Sequence, residues 1–208
     1  MRSIAEGLLL LSAFSFLVHF SNGTQTPDGV PAPTVIFPGQ SIGPLRLGDS
    51  RERVFELFPK KPNMDEEWQE GANCGTTVNW IDIKMAGNLF IRLKENKVFQ
   101  IDSATTSFHT AKGITLKSSP GEIREKYAGL RAYVLSRGTS EAAGGRPLVY
   151  WIDSEKGIAF AFARGRRDQR HYLGGIIVFR PHMDVCPQYP PLETSDRREL
   201  PPYSLNAE

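Results

Sequence analysis

The chain has 208 residues, of which 40% are apolar and 23% charged, a composition typical of a globular protein rather than a fibrous or disordered one. Its 25 Lys and Arg residues nearly balance 23 Asp and Glu residues, and a formal charge of +2 argues against a globally basic nucleic-acid-binding protein. The 2 cysteines are too few for a disulfide-dense miniprotein or a four-cysteine structural zinc site.

Residues 1–23 are predicted to be a signal peptide. Met1 and Arg2 precede an apolar run from Leu8 to Phe20, shorter than the about 20 apolar residues that a membrane-spanning helix needs. Small residues follow at Ser21 and Gly23, as expected before a cleavage site. We expect an exported protein, periplasmic or secreted, with no transmembrane span after cleavage. An uncleaved N-terminal signal anchor is the alternative.

Proline-rich segments flank the central part of the chain. Residues 24–38 contain four prolines and are predicted to be an extended linker. Residues 181–208 contain six of the 15 prolines, with little apolar periodicity, and are predicted to be a flexible tail. Residues 39–180 remain as the folded part.

The folded part contains two similar halves. Leu45–Phe58 aligns without gaps on Ile114–Tyr127, and Trp80-Ile81-Asp82 reappears as Trp151-Ile152-Asp153. Both aligned segments predict a short helix. The second helix is predicted to begin with a capping box, because Glu122 lies three residues after Ser119. Pro120 occupies the first helical position, which proline favours.

Apolar alternation and short turns predict three antiparallel strands after each helix. They are Val78–Lys84, Leu89–Lys94 and Val98–Asp102 in the first half, and Leu148–Asp153, Ile158–Ala163 and Gly175–Phe179 in the second. The predicted fold class is therefore α+β, with two tandem helix-plus-antiparallel-meander units at residues 39–107 and 108–180. The two units can share one curved sheet.

Residues Ile42–Val54 carry a family resemblance. The segment has a Gly-apolar-x-apolar-Gly-small-Ser pattern, followed by a charged helix start and a valine. It resembles the entry motif of exported bacterial proteins with the beta-lactamase-inhibitory-protein-like fold, which are related to small outer-membrane assembly lipoproteins. The second half departs from the pattern, since Lys117 stands where the first half has Gly48. The resemblance implies a non-catalytic protein that binds other proteins.

No nucleophile elbow, phosphate loop, dinucleotide fingerprint or zinc-protease motif occurs in the sequence, and we expect no cofactor. His182 and Cys186 have ligand spacing but form too small a set for a metal site. Asp82 and Asp153 recur before turns, where Asp commonly accepts backbone hydrogen bonds. The alternative is that Asp82, Asp153 or His109 serves a hydrolase in a groove between the two units.

Cys74 and Cys186 are predicted to form one disulfide, as expected in an exported chain with two cysteines. This bond would join the loop before the first meander to the segment after the last strand. Two free thiols are the alternative.

Two oppositely charged segments are candidate binding surfaces. Arg164, Arg166, Arg167 and Arg170, with Tyr172, are predicted at the tip of a long hairpin, where guanidinium groups could bind carboxylates or phosphates. Trp68 lies in the acidic segment 64–70 and could be an interface anchor. The alternatives are a merely solvated tip and a mutual attraction of the two segments.

The sequence therefore predicts a non-enzymatic protein-interaction or inhibitor-like module of the cell envelope. Its expected partner is another envelope or secreted protein, or an anionic envelope polymer, and not nucleic acid. The alternatives are the hydrolase described above and a structural envelope protein without a discrete ligand.

Overall fold

The computed structural model describes residues 34–58, 79–84, 88–135, 148–165, 170–183, 185–186 and 197–205; of residues 79–84, 88, 135 and 197 it describes the backbone alone. All of them belong to one compact unit, residues 32–208. The predicted signal peptide, Trp68 and Cys74 lie outside the described residues.

Twelve strands and two short helices make up the described part of the chain. In chain order they are β1 (Val35–Phe37), β2 (Ser41–Ile42), β3 (Leu45–Arg46), α1 (Arg51–Leu57), β4 (Asn79–Lys84), β5 (Asn88–Lys94), β6 (Lys97–Ala104), β7 (His109–Thr110), α2 (Pro120–Lys126), β8 (Arg131–Leu135), β9 (Val149–Asp153), β10 (Ile158–Arg164), β11 (His171–Phe179) and β12 (Arg197–Leu200).

Eight of these strands form one antiparallel sheet with the order β12-β8-β9-β10-β11-β6-β5-β4. Strands β4 to β6 are one meander and β8 to β11 are another. The two meanders join where β11 pairs with β6, in a register that runs from Ile176↔Ser103 to Phe179↔Gln100. The other four strands form a small sheet with the order β3-β2-β1-β7, in which β1 and β7 are parallel.

The two helices have matching ends. Ser50 caps α1 by accepting a hydrogen bond from the Arg53 amide at 3.2 Å. Ser119 caps α2 in the same way, and the Glu122 carboxylate accepts from the Ser119 amide at 2.6 Å, which completes the predicted capping box. Each helix is 7 residues long and buries one side chain, Val54 or Ile123.

The predicted α+β class with two tandem units is wrong, because the chain is mostly β. Two seven-residue helices that each bury one side chain are too small to form a layer of their own. The strands of both halves instead continue into one sheet through the β6–β11 pairing, while β1, β2, β3 and β7 form the second sheet. The predicted division between residues 107 and 108 falls in the connection between β6 and β7.

The central strands of the large sheet are buried on both faces. One face packs against α1 and α2 in a core that includes Ile101, Trp151 and Phe160. The opposite face carries a second apolar cluster: Tyr133, Tyr150, Ile152, Ala159, Ala161, Ile177 and Phe179. Every residue of β9 is buried as a result. Polar side chains on the second face therefore need hydrogen-bonding partners within the protein.

Two glycines join the small sheet to the large one. Gly39 lies in the turn between β1 and β2, and Gly157 lies in the turn between β9 and β10. The Gly157 carbonyl accepts hydrogen bonds from the amides of Gly39 and Phe179, both at 3.1 Å. Both glycines have positive φ, 67° and 68°. A Cβ on Gly157 would lie 2.1 Å from the Phe179 oxygen, so only glycine allows this approach.

Strands β1 and β12 lie inside segments that were predicted to be linker and tail. Ile36 of β1 and Leu200 of β12 are buried, at 0% and 6% exposure. Pro38 and Pro201 follow directly after these strands, where a proline ends β pairing. Here the prolines mark strand ends, so ordered structure extends beyond the predicted limits of the folded part.

Candidate functional site

The predicted hairpin tip is formed by β10 and β11. Their pairing extends outward to Arg164↔His171, and the Gly165 amide donates to the Arg170 carbonyl at 2.8 Å. The sequence placed all of residues 164–172 between strands, which is wrong: Arg164 belongs to β10, and β11 begins at His171 rather than at Gly175. Leu173 continues the strand inward and is buried. The tip is therefore confined to residues 165–170.

An exposed tyrosine and two described arginines lie at this end of the hairpin. Tyr172 is 52% exposed, which places it among the exposed large apolar side chains. Arg170 is exposed and Arg164 is half-buried. Arg166 and Arg167 of the predicted cluster lie outside the described residues. The described part thus brings Arg164, Arg170 and Tyr172 to one end of the large sheet.

His171 does not add to the positive charge of the tip at neutral pH. Partial burial lowers its pKa below the ordinary value of 6.5, and the nearby charge of Arg164 lowers it further. The electrostatic character of this surface therefore comes from its arginines.

The candidate carboxylate Asp153 stabilises a turn. Its Oδ1 accepts from the Lys156 amide at 3.0 Å, and its Oδ2 pairs with the Lys156 ammonium group. The turn interpretation is confirmed for Asp153. Asp82 lies in β4, of which only the backbone is described. His109 lies in β7 of the small sheet, where its amide donates to the Thr34 carbonyl at 3.0 Å.

The segment around Cys186 is fixed to the second face of the large sheet. The Gln100 side chain donates to the Cys186 carbonyl at 2.7 Å and accepts from the Cys186 amide at 2.8 Å. Cys186 is 4% exposed, and the described part of the chain contains no free cysteine. Because Cys74 lies outside the described residues, the Cys74–Cys186 pairing stays a prediction. No group of three metal-ligating side chains occurs among the described residues, which include His182.

Sequence reasoning missed a buried polar cluster on the same face. The Arg92 guanidinium lies 3.4 Å from the Asp102 carboxylate, which also accepts a hydrogen bond from the side-chain Nε2 of Gln100 at 2.7 Å. All three residues are at most 3% exposed. Burial raises the pKa of Asp102 above its ordinary value of 3.8, and the charge of Arg92 opposes that rise. The sequence gives little signal of this cluster, because Arg92 and Asp102 alternate with apolar residues as the side chains of an exposed sheet face would.

Comparisons with known proteins do not establish a family for this chain. No family model matches it, and no curated protein matches it significantly. Two solved structures are similar in shape. The uncharacterized protein yfeY from Escherichia coli is 10% identical, with a TM-score of 0.45, and the match covers 72% of this chain and 100% of that one.

The second structure is an extracellular protein containing a SCP domain from Bacillus anthracis str. Ames. It is 14% identical, with a TM-score of 0.37, and the match covers 65% of this chain. The chain spans 44% of the length of that protein. Among the described residues, no helix is long and apolar enough to cross a membrane.

Proposed function

We propose that the protein is an exported, non-enzymatic interaction module that binds an acidic surface of another envelope or secreted protein. The supporting observation is that the half-exposed Tyr172 and the exposed Arg170 lie two residues apart at the end of the β10–β11 hairpin. Tyrosine and arginine are the side chains that most often dominate protein interfaces, together with tryptophan. The ring supplies apolar area, and the guanidinium supplies directional hydrogen bonds to carboxylates.

The charge of the tip favours an acidic partner. Residues 164–170 contain four arginines and one aspartate. His171 is neutral at physiological pH because its pKa is lowered, so the attraction does not depend on histidine protonation. We expect binding to weaken as the salt concentration rises, because exposed charges are screened over about 10 Å at 0.1 M salt.

The roles of the described buried carboxylates support a non-enzymatic function. Asp153 is engaged by the Lys156 amide and ammonium groups, and Asp102 by Arg92 and Gln100. The contacts of both carboxylates are explained by a role in stabilising the fold. The resemblance of residues 42–54 to the entry motif of exported bacterial proteins with the beta-lactamase-inhibitory-protein-like fold implies a non-catalytic protein that binds other proteins.

The proposal is tested by affinity capture from the native envelope with the full chain and two charge-matched variants. Arg164→Ala with Arg170→Ala removes two positive charges at the tip. Arg53→Ala with Arg124→Ala removes two exposed charges on α1 and α2. We expect the tip variant, and Tyr172→Ala separately, to lose about tenfold or more in affinity for the captured partner. We expect the helix variant to bind as the unchanged chain does.

Equal capture by the tip and helix variants would remove the hairpin from the binding surface. Protease treatment of the captured material identifies the class of partner. A ligand that survives proteolysis and still competes for the chain is an anionic polymer, which would contradict a protein partner.

A further inference from the structure

The last described segment, residues 197–205, lies along the edge of the large sheet. Strand β12 pairs with β8 from Arg197↔Leu135 to Leu200↔Ala132 and ends the eight-strand order. Leu200 is buried, whereas Arg198 and Glu199 are exposed. The segment is held by this backbone pairing, by the burial of Leu200 in the core, and by Tyr203 and Leu205, which pack against the core.

The strongest of these contacts are made by Tyr203. Its hydroxyl accepts from the Gly129 amide at 2.8 Å and donates to the Tyr127 carbonyl at 3.0 Å, so it binds the backbone just after α2. Its ring packs edge-on against Trp151, with the centroids 5.4 Å apart. The Trp151 indole N–H donates to the Ser204 carbonyl at 3.0 Å. The protein therefore makes specific contacts with the Tyr203 side chain and with the backbone carbonyl of the next residue, Ser204.

A charged pair sets the register of β12 on β8. The Arg131 guanidinium donates to the two carboxylate oxygens of Glu199 at 2.9 and 2.7 Å. A two-pronged pair of this kind requires one alignment of the strands, because a shift by one residue would place Glu199 on the other side.

Two features make this segment able to leave and return. Tyr203 has a φ of 57°, a left-handed conformation that is unfavourable for a residue with a side chain, so detachment relieves strain. Residues 187–196 link Cys186 to β12, and ten residues can span up to about 33–36 Å. Release of β12 opens one edge of the sheet and leaves its internal pairings unchanged.

We propose that the edge of β8, the Trp151 ring and the backbone after α2 form a binding site for a short strand that is followed by a Pro-Pro-Tyr-Ser turn. Residues 197–205 of the chain occupy this site, and the same segment of a second copy replaces them in an exchanged dimer. The exchange preserves every contact described above, because an identical segment makes them from another chain. Recognition combines strand addition with a pocket for one side chain. This site is separate from the hairpin tip, and neither proposal depends on the other.

The first test is hydrogen exchange on the intact full-length chain. If the segment detaches locally, the paired amides of β8 and β12 exchange about 100-fold faster or more than those at the centre of β10 and β11. Equal protection of all four strands would mean that β12 leaves only when the whole protein unfolds, and would overturn the proposal.

The second test uses a labelled synthetic peptide with the sequence of residues 197–205. The full-length Tyr203→Ala chain has a weakened segment of its own, so it binds the peptide, and fluorescence anisotropy rises. A peptide with Tyr203→Ala binds about tenfold or more weakly. The full-length Phe37→Ala chain, which loses an exposed aromatic ring elsewhere, is the matched control, because its own segment is intact and competes with the peptide. If it takes up as much peptide as the Tyr203→Ala chain, the binding is non-specific and the proposal fails.

A charge exchange tests the register in the Tyr203→Ala chain, whose own segment is weakened. Adding Arg131→Glu, a surface substitution compatible with folding, makes this chain prefer the peptide with Glu199→Arg to the unchanged peptide. Lack of any preference would refute the assigned alignment. Differently labelled preparations of the unchanged protein, mixed at high concentration, then show energy transfer if the dimer forms. Its absence would contradict the exchange between copies.

Discussion

Replacing Gly157 by alanine tests how the two sheets are joined. The added Cβ would lie 2.1 Å from the Phe179 carbonyl oxygen and 2.9 Å from the Gly39 Cα. Both contacts are with backbone, so a side-chain rotation cannot relieve them. The turn has to move by close to 1 Å to reach the about 3.0 Å that non-bonded atoms tolerate.

The cost has two parts. A non-glycine residue at φ 68° loses about 1–2 kcal/mol because of its left-handed conformation. The displacement also lengthens the hydrogen bonds from the Gly39 and Phe179 amides to the Gly157 carbonyl, each worth about 1 kcal/mol net. We expect Gly157→Ala to lower the free energy of unfolding by about 3–4 kcal/mol, a large share of the stability of an ordinary domain.

Two other glycines provide matched controls. Gly129 has a φ of 81° and no heavy atom within 4 Å of an added Cβ, so Gly129→Ala carries only the conformational cost of about 1–2 kcal/mol. Gly121 lies in α2, where alanine is expected to stabilise by about 0.5 kcal/mol. Urea unfolding followed by tryptophan fluorescence measures all three. If Gly157→Ala costs no more than Gly129→Ala, the reasoning about close approach is refuted.

Further predictions concern three other parts of the fold: the Arg92–Asp102 pair, the cap of α2 and the turn between β5 and β6. Asp102→Ala lowers the free energy of unfolding by about 3–5 kcal/mol, because it removes the carboxylate beside the buried Arg92 guanidinium. The double variant Arg92→Met with Asp102→Leu recovers most of this loss in urea unfolding, and an equal loss in both would contradict the prediction. Burial raises the pKa of Asp102 in the folded state. The contribution of this pKa shift to the free energy of unfolding is therefore complete at a pH below 3.8, and it is lost as the pH rises through the pKa of the folded state. Asp102→Asn therefore flattens this decline in a pH series of unfolding curves, and an unchanged slope would speak against it. Ser119→Ala costs about 1 kcal/mol. It also raises the pKa of Glu122, which hydrogen bonds from the Ser119 amide and hydroxyl hold below 4.5; an unchanged NMR titration of this carboxyl would count against that cause. Glu95→Asn stabilises by about 0.5 kcal/mol in urea unfolding, because Glu95 has a φ of 52° in a two-residue hairpin turn that favours asparagine. A loss of stability would show that the Glu95 side chain makes a more important contact.

Local sequence signals predicted the elements better than their arrangement. The start of α2 was predicted correctly because the capping box from Ser119 to Glu122 is a local chemical pattern. The antiparallel pairing of β6 with β11 joins residues 100–103 to residues 176–179, and no short segment carries that information. Strand β12 was missed because three of its four residues are charged and prolines surround it.

The candidate site was predicted only in part, because local charge is visible in the sequence whereas the pairing of strands is not. Charge marked the end of the β10–β11 hairpin, but the run of arginines concealed that Arg164 and His171 pair with each other. The Arg92–Asp102 pair was missed because alternation predicts that one face of a sheet is exposed, whereas this sheet is covered on both. A polar residue on the second face therefore looked like a surface residue.

The position of β11 has a consequence for how the chain folds. This strand lies between β10 and β6, although residues 105–170 separate it from β6 along the chain. Synthesis from the N-terminus completes the first meander, β4 to β6, before β11 has been made. Until then the backbone N–H and C=O groups along one edge of β6 lack the strand with which they pair in the folded protein. Non-local pairings of this kind slow folding and leave a strand edge open to other chains. The two halves are similar in sequence but depend on each other, and a fragment that ends before His171 would expose the β6 edge and be prone to aggregation.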